Sequence, residues 1–226
     1  MSVLRCAVVP AYNASARLGE TLRQLAPFVD QIIVVDDGST DGTAEVARQM
    51  VKTTVIRQRR RGPGGAVLNG LRQAKATGAL WAVVVDADGQ MDARKIPALI
   101  EALERHEADL ARGSRLETSS GGDPMPWFRG IAARILSWPS SWCARTRIRD
   151  PLSGFVALRL SVLPRHLWRG FGYPMHLSAA VAARRGRIVH VPVPAHYPAD
   201  GVSHHGLHRA PAIAMALLHA CFERLR

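Results

Sequence analysis

Three short apolar runs in the first half of the chain stop abruptly at a residue that ends a buried strand. Val3 to Val9 stops at Pro10, Gln31 to Val35 at Asp36, and Trp81 to Val85 at Asp86. A fourth run, Thr53 to Ile56, is shorter. Continuous runs of this length, rich in β-branched residues, read as strands covered on both faces, as in a parallel sheet. Helical patterns lie between them. Asp41 is placed to cap a helix that begins near Thr43, because its carboxylate can accept backbone N–H bonds there. Ile96, Leu99, Ile100 and Leu103 recur at i, i+3, i+4 and i+7, the apolar stripe of an amphipathic helix. Strand alternating with helix predicts a three-layer α/β/α fold around a mostly parallel sheet.

The second half is less regular. Thr118 to Pro126 is rich in Ser, Gly and Pro and reads as a loop. Gly130 to Cys143 reads as an apolar helix carrying Trp138 and Trp142, interrupted at Pro139. Arg187 to Val193 is strand-like, and Pro211 to Leu225 predicts a C-terminal amphipathic helix with basic ends. No repeat or linker divides the 226 residues, so a single domain over 1–226 is expected.

In open parallel sheets, ligands bind beyond the carboxyl ends of the strands. Three predicted strand ends carry polar or special residues: Pro10-Ala11-Tyr12-Asn13, Asp36-Asp37-Gly38-Ser39, and Asp86-Ala87-Asp88-Gly89-Gln90. Asp86 and Asp88, two positions apart past a strand, can converge on one hard divalent cation, with Gln90 as a further oxygen ligand. A cation held there can bridge a diphosphate and neutralise charge on a leaving phosphate. The competing reading is an Asp- and Gly-rich surface turn. Asp36 and Asp37 can fix a nucleobase or ribose, or cap a turn. Tyr12 can stack on a base or line the sheet edge.

Charge narrows the partners. Thirty Lys and Arg against 18 Asp and Glu give +12, which favours something anionic. Arg57, Arg59, Arg60 and Arg61 can pair with phosphates. A nucleic-acid-binding protein is the rival from another class, but no helix-turn-helix, zinc-finger or aromatic RNA-binding signature is present. A nucleotidyltransferase needs a Gly-rich loop near the N-terminus, which residues 8–20 lack. Cys6, Cys143 and Cys221 are far apart, odd in number and without metal-ligand spacing, so a reducing compartment is the simplest context. No targeting segment or run of about 20 apolar residues is seen, and a cytoplasmic protein is expected. The Trp- and Arg-rich segment from Trp127 to Arg149 suits a membrane interface, with an ordinary core helix as the alternative.

Taken together, Pro-Ala-Tyr-Asn, Val-Val-Asp-Asp-Gly-Ser-Thr-Asp-Gly-Thr, Asp-Ala-Asp-Gly-Gln, Gly113-Ser114-Arg115 and Asp150-Pro151-Leu152-Ser153-Gly154-Phe155 resemble family 2 glycosyltransferases, nearest to the dolichyl- and polyprenyl-phosphate sugar synthases. The resemblance runs from about residue 5 to residue 204. It implies a GT-A fold of the nucleotide-diphospho-sugar transferase type, a UDP- or GDP-sugar donor, and Mg²⁺ or Mn²⁺. Residues 1–115 would form the nucleotide-sugar-binding half and 116–226 the acceptor side. Pro10, Tyr12, Val35 and Asp37 would contact the nucleoside. Asp86, Ala87 and Asp88 would lie at the metal and diphosphate, with Gln90 as a metal ligand. Arg115 would contact phosphate, and Arg129, Ser153 and His204 would face the acceptor. Asp88 and Arg115 are the expected catalytic residues, joined by Asp150 as a base if the acceptor is a hydroxyl.

Two departures bear on the acceptor. Ala14 stands where the branch is often acidic. In the branch's Arg-x-x-Gly-x-Ser-Lys segment, Pro198 replaces Arg and His204 replaces Lys, while Gly201 and Ser203 remain. His204, His205 and His208 can supply part of the missing cationic contact. The altered segment argues against a phosphate acceptor. The lack of a Glu-Asp or Thr-Glu-Asp element after Asp88 argues for one. The expectation is an inverting transferase acting on a lipid-linked acceptor, polyprenyl phosphate first and a lipid or envelope hydroxyl second. It would sit at the inner membrane face, touching anionic lipid and no nucleic acid.

Overall fold

The apolar runs are strands because both of their faces are covered. In β1 (Arg5–Ala11), Ala7, Val9 and Ala11 belong to one core cluster while Cys6 and Val8 belong to another. β2 (Gln31–Asp36) divides likewise, Ile32 and Val34 against Ile33 and Val35. In β4 (Trp81–Val84), Trp81 and Val83 oppose Ala82 and Val84. Side chains alternate across a strand, so only a sheet between two apolar layers accepts such runs. β3 (Thr53–Arg57) is less buried because it forms the sheet edge.

The computed structural model describes residues 4–117, 123, 125, 127–194, 196 and 210–225. Among them one sheet has the order β3-β2-β1-β4-β6-β5-β7, completed by β5 (Leu110–Ser114), β6 (Val156–Arg159) and β7 (Ile188–Pro192). β1 pairs parallel with β2 and β4, as do β2 with β3 and β5 with β7; β6 runs antiparallel to β4 and β5.

Helices α1 (Ser15–Leu25), α2 (Thr43–Arg48) and α4 (Ile96–Arg105) cover one face, with Leu18, Leu22, Ala47 and the predicted Ile96, Leu99, Ile100 and Leu103 stripe turned into the core. Each Leu or Ile so buried contributes about 1.5–3 kcal/mol. Helices α3 (Pro63–Ala76) and α6 (Tyr173–Ala183) cover the other face through Val67, Leu71, Leu177 and Val181. At Gly70 a Cβ would come within 2.3 Å of Val8 Cγ1, so α3 lies close on the sheet only because that position has no side chain. Helices α5 (Trp127–Ala144) and α7 (Ala210–Leu225) pack on α6 and on each other.

Asp41 accepts from Thr43 N, as expected, but also from Ser15 N and Ser15 Oγ, so it joins the start of α1 to that of α2. Pro139 does not interrupt its helix; α5 runs through it. The bond lost is the one to the carbonyl of Ile135, and Ile135 is 67% exposed, so water can satisfy that group. The Thr118–Pro126 segment lies mostly outside the described residues. The strand β5 was not legible in the sequence because it carries Arg112, and β6 was not read from it either.

Candidate active site

The carboxyl ends of β1, β2 and β4 meet where the topology reverses, with β2 on one side of β1 and β4 on the other. Such a switch point opens a crevice between diverging connections. Here the crevice is a cleft of about 600 Å³. Pro10, Tyr12, Asp37, Asp86, Ala87 and Asp88 all line it.

The Asp86-Ala87-Asp88 segment leaves the sheet just after Val85 donates to Val8 O. Asp88 Oδ1 accepts from Gln90 N at 3.0 Å, and Gly89, at φ 73, allows the tight turn this needs. Thr21 Oγ1 of α1 holds the carbonyl of Ala87 at 3.3 Å. Asp86 has its pKa pushed up to about 7, first by burial and then by the charge of Asp88, with Arg115 pulling it back. Two carboxylates thus repel one another at a half-buried floor. Tyr173 adds a second polar group, with a buried hydroxyl that has no hydrogen-bond partner among the described residues. Its hydroxyl and the Asp86 carboxylate flank Gly154. A Cβ there would stand 2.8 Å from Tyr173 Oη and 3.0 Å from Asp86 Oδ2. The absent side chain keeps a polar cradle open beside Asp86.

Asp36 and Asp37 have separate tasks. Asp36 Oδ1 accepts from Ser39 N and holds its own turn, while Asp36 Oδ2 lies 3.4 Å from Arg57 Nε. Asp37 accepts from Gln58 Nε2, Arg61 N and Gly62 N, each at 2.7 Å. It therefore anchors the 58–62 segment that enters α3. A carboxylate has about four lone-pair sites, so one is left for a ligand in the cleft. The anchored segment carries Arg60 over the Tyr12 ring, 3.9 Å from its centroid, with Nη1 donating to Tyr12 Oη at 3.0 Å. That cation–π contact fixes the ring at the cleft wall.

On the other flank, Arg115 and Asp150 form a bidentate pair, Nε to Oδ2 at 2.8 Å and Nη2 to Oδ1 at 3.0 Å. Burial works to raise the pKa of Asp150, but the Arg115 charge and hydrogen bonds, with Arg112 behind, hold it below the usual carboxylate range. Arg112 is wholly buried and donates to the carbonyls of Asp150, Ser153 and Pro174 and to Ser178 Oγ. It fastens the 150–154 turn to the start of α6, and so positions Gly154 and Tyr173. Burial lowers its own pKa to about 10, against the raising effect of Asp150.

Val35, Gln90, Arg115, Asp150 and Ser153 are not among the residues that line the cleft. Val35 lies in the core beneath α3. Asp150 is committed to Arg115, which leaves it unsuited to act as the base for a hydroxyl acceptor. The Arg129 side chain and the whole of Pro198 and His204 lie outside what the structure describes. Arg17, Gly154, Phe171 and Tyr173 line the cleft without having been singled out in sequence. Arg60 was legible only as part of a basic run. The Gly154 signal was present within the Asp-x-x-Ser-Gly-Phe motif; Tyr173 carried none. Among the described residues, no three or more His, Cys, Asp or Glu cluster as a metal site.

A mostly parallel sheet with a carboxylate pair at the carboxyl end of its central crossover strand defines a GT-A type α/β transferase fold. The solved glucosyl-3-phosphoglycerate synthase of Mycobacterium tuberculosis, in complex with Mn²⁺, UDP-glucose and phosphoglyceric acid, shares it at TM-score 0.71 and 21% identity, over 99% of this chain and 80% of that one. This chain belongs to glycosyl transferase family 2, whose model matches residues 6–159. It is 29% identical to a dolichol-phosphate mannosyltransferase of Pyrococcus furiosus over 82% of this chain, yet spans only 54% of that protein. It is 30% identical to an undecaprenyl-phosphate mannosyltransferase of Micrococcus luteus, over 82% of this chain and 81% of that one.

Proposed function

We propose that the chain is a single-domain, metal-dependent glycosyltransferase that moves a sugar, with inversion, from a UDP- or GDP-sugar to a polyprenyl phosphate. The observation that carries this reading is the Asp86–Asp88 pair at the cleft floor. Its mutual repulsion, the open cradle at Gly154 and the orphaned Tyr173 hydroxyl suit a bound cation and the groups it brings. Asp86 and Asp88 would hold Mg²⁺ or Mn²⁺, as expected of a site of hard oxygen ligands. The cation supplies positive charge against the departing diphosphate. A protein of the same fold carries Mn²⁺ together with UDP-glucose.

The chain's own residues do the rest. Tyr12, braced by Arg60, and the remaining lone pair of Asp37 receive the nucleoside beside Pro10. Arg17 and Arg60 bring positive charge to a cleft that must accept phosphates. Arg115 acts through Asp150, holding the acceptor-side turn, and its charge reaches Asp86. The acceptor oxygen attacks the anomeric carbon from the side opposite the leaving group, which inverts that centre. With Asp150 taken, the acids among the described lining residues are Asp37, Asp86 and Asp88, and none of those described residues is a His. An acceptor that is already anionic needs no base. Two relatives named for transfer to dolichol phosphate and undecaprenyl phosphate support the same acceptor class.

The reading extends to a membrane surface. On α5, Trp127, Ile131, Ile135 and Trp138 are exposed, spaced by four, four and three residues and hence on one face. Met215, Leu218 and Phe222 are exposed on the adjoining α7. Arg134, Arg145, Arg147 and Arg149 are exposed on α5 and the turn that follows it. Aromatic and aliphatic groups flanked by Arg suit the headgroup region of an anionic bilayer. Among the described residues no helix is long and apolar enough to cross a membrane.

The test is a panel of UDP- and GDP-sugars with Mn²⁺, offered a short polyprenyl phosphate or the matching polyprenol. Release of nucleoside diphosphate with formation of lipid-phosphate sugar from the phosphate alone is the expected result. Transfer to the polyprenol but not the phosphate would overturn the acceptor assignment.

A further inference from the structure

Cys143 near the end of α5 and Cys221 near the end of α7 are 78 positions apart, yet their sulfurs lie 2.9 Å apart. Both are in the reduced thiol form. A disulfide brings its sulfurs to about 2.0 Å, so closure asks for a shift of roughly 0.9 Å. The small residues Ala179 and Ala220 pack around the pair. Cys143 is buried and Cys221 half-buried, so an incoming reagent meets Cys221 first. Cys6 is different. It lies inside the sheet with its thiol pushed up to about 12 by burial, which leaves it inert.

We propose that Cys143 and Cys221 form a dithiol site that closes to a disulfide and fastens α7 to α5. A low-molecular-weight disulfide of the glutathione type is the oxidant. The Cys221 thiolate attacks one of its sulfurs, a mixed disulfide forms and one small thiol leaves. The Cys143 thiolate then attacks the Cys221 sulfur, and the second small thiol leaves. Two protein thiols and one small disulfide become one protein disulfide and two small thiols; the protons lost by the protein thiols pass through water to the two leaving thiolates.

The cross-link spans a layer that matters to the cleft. α5 and α7 both pack on α6, and α6 begins with Tyr173 and Pro174, which line the cleft. Closing so long a loop restricts the unfolded chain strongly, and the expected rise in melting temperature is about 5–15 °C. None of this depends on sugar transfer.

The test treats the whole protein with graded ratios of oxidised to reduced glutathione, traps free thiols by alkylation and maps peptides without reduction. One linked pair joining the Cys143 and Cys221 peptides is expected within the monomer, with Cys6 alkylated only after denaturation. The linked form should melt higher, and dithiothreitol should reverse the shift. Cys221→Ser and, separately, Cys221→Ala should abolish both the link and the shift. Full alkylation of both cysteines at every ratio overturns the proposal. So does a glutathione adduct on Cys221 that never closes, or a link between two chains. A closed disulfide with unchanged melting overturns the fastening of α7.

Discussion

Arg115 gives three hydrogen bonds to one carboxylate: its backbone N–H at 3.1 Å, Nε at 2.8 Å and Nη2 at 3.0 Å all reach Asp150. Asp150 is wholly buried, so removing its charge strands Arg115 and the buried Arg112 beside it. Asp150→Asn is expected to cost about 3–5 kcal/mol. The pH dependence follows from the direction of the shift. The folded pKa lies below the unfolded one, so the unfolded chain binds the proton more readily. The contribution of Asp150 is complete above the ordinary carboxylate pKa of about 4 and fades as pH falls below it. Urea unfolding of both proteins should show a constant gap from pH 5 to 8 that narrows toward pH 3. A gap that closes between pH 6 and 8 would contradict the pairing.

Asp86 and Asp88 make the opposite case, a pair that costs stability. Burial and the Asp88 charge both disfavour ionised Asp86. Asp88→Asn removes one charge and keeps the shape. In chelator it should raise stability by about 1 kcal/mol, or roughly 2–4 °C in melting temperature for a chain of this size. The same variant should lose the stabilisation that Mn²⁺ and a nucleotide-sugar give together. Thermal melts with and without metal measure both arms. A melting point that falls in chelator would mean that the bond from Gln90 N to the Asp88 carboxylate outweighs its repulsion with Asp86.

Much of this was written locally in the chain. The strand runs, the α4 stripe and the polar strand ends depend on neighbours in sequence, and Pro10, Tyr12, Asp37, Asp86 and Asp88 all came together. What escaped depends on distant partners. Asp150 looked available because its motif does not show Arg115 folding back on it. Arg112 hid a strand, since a cation in an apolar run argues against burial unless four distant oxygens receive it. Tyr173 opens a helix far along the chain, and only the fold brings it beside Asp86. The meeting of Cys143 and Cys221 is likewise a product of helix packing.

Gly154 offers a test of the cradle. A Cβ there would meet Tyr173 Oη at 2.8 Å and both Asp86 oxygens at 3.0 and 3.1 Å. Gly154→Ala should still fold, because the crowded atoms are side-chain ends facing the cleft. Overpacking of this kind costs about 1–3 kcal/mol. Mn²⁺ affinity, followed by calorimetry in the presence of UDP, should fall at least tenfold. Unchanged metal affinity would place the cation away from the Gly154 side of Asp86.

Trp138 is 78% exposed and Ile135 67%, on the same face of α5. Groups so exposed contribute little to folding, so Trp138→Ser with Ile135→Ser should shift stability by no more than about 0.5–1 kcal/mol. Their loss should matter on a bilayer. Burying them at the headgroup boundary is worth about 2–3 kcal/mol together, so partition onto vesicles containing anionic lipid should drop roughly 30- to 150-fold. The basic residues act separately. Arg145→Gln with Arg149→Gln should weaken binding at low salt by about tenfold or more and flatten its salt dependence, since each Arg near an anionic surface contributes about 1 kcal/mol. Vesicle flotation at two ionic strengths distinguishes the two effects. If the apolar double variant floats as well as the parent at both, the α5 face is not the one that meets the membrane.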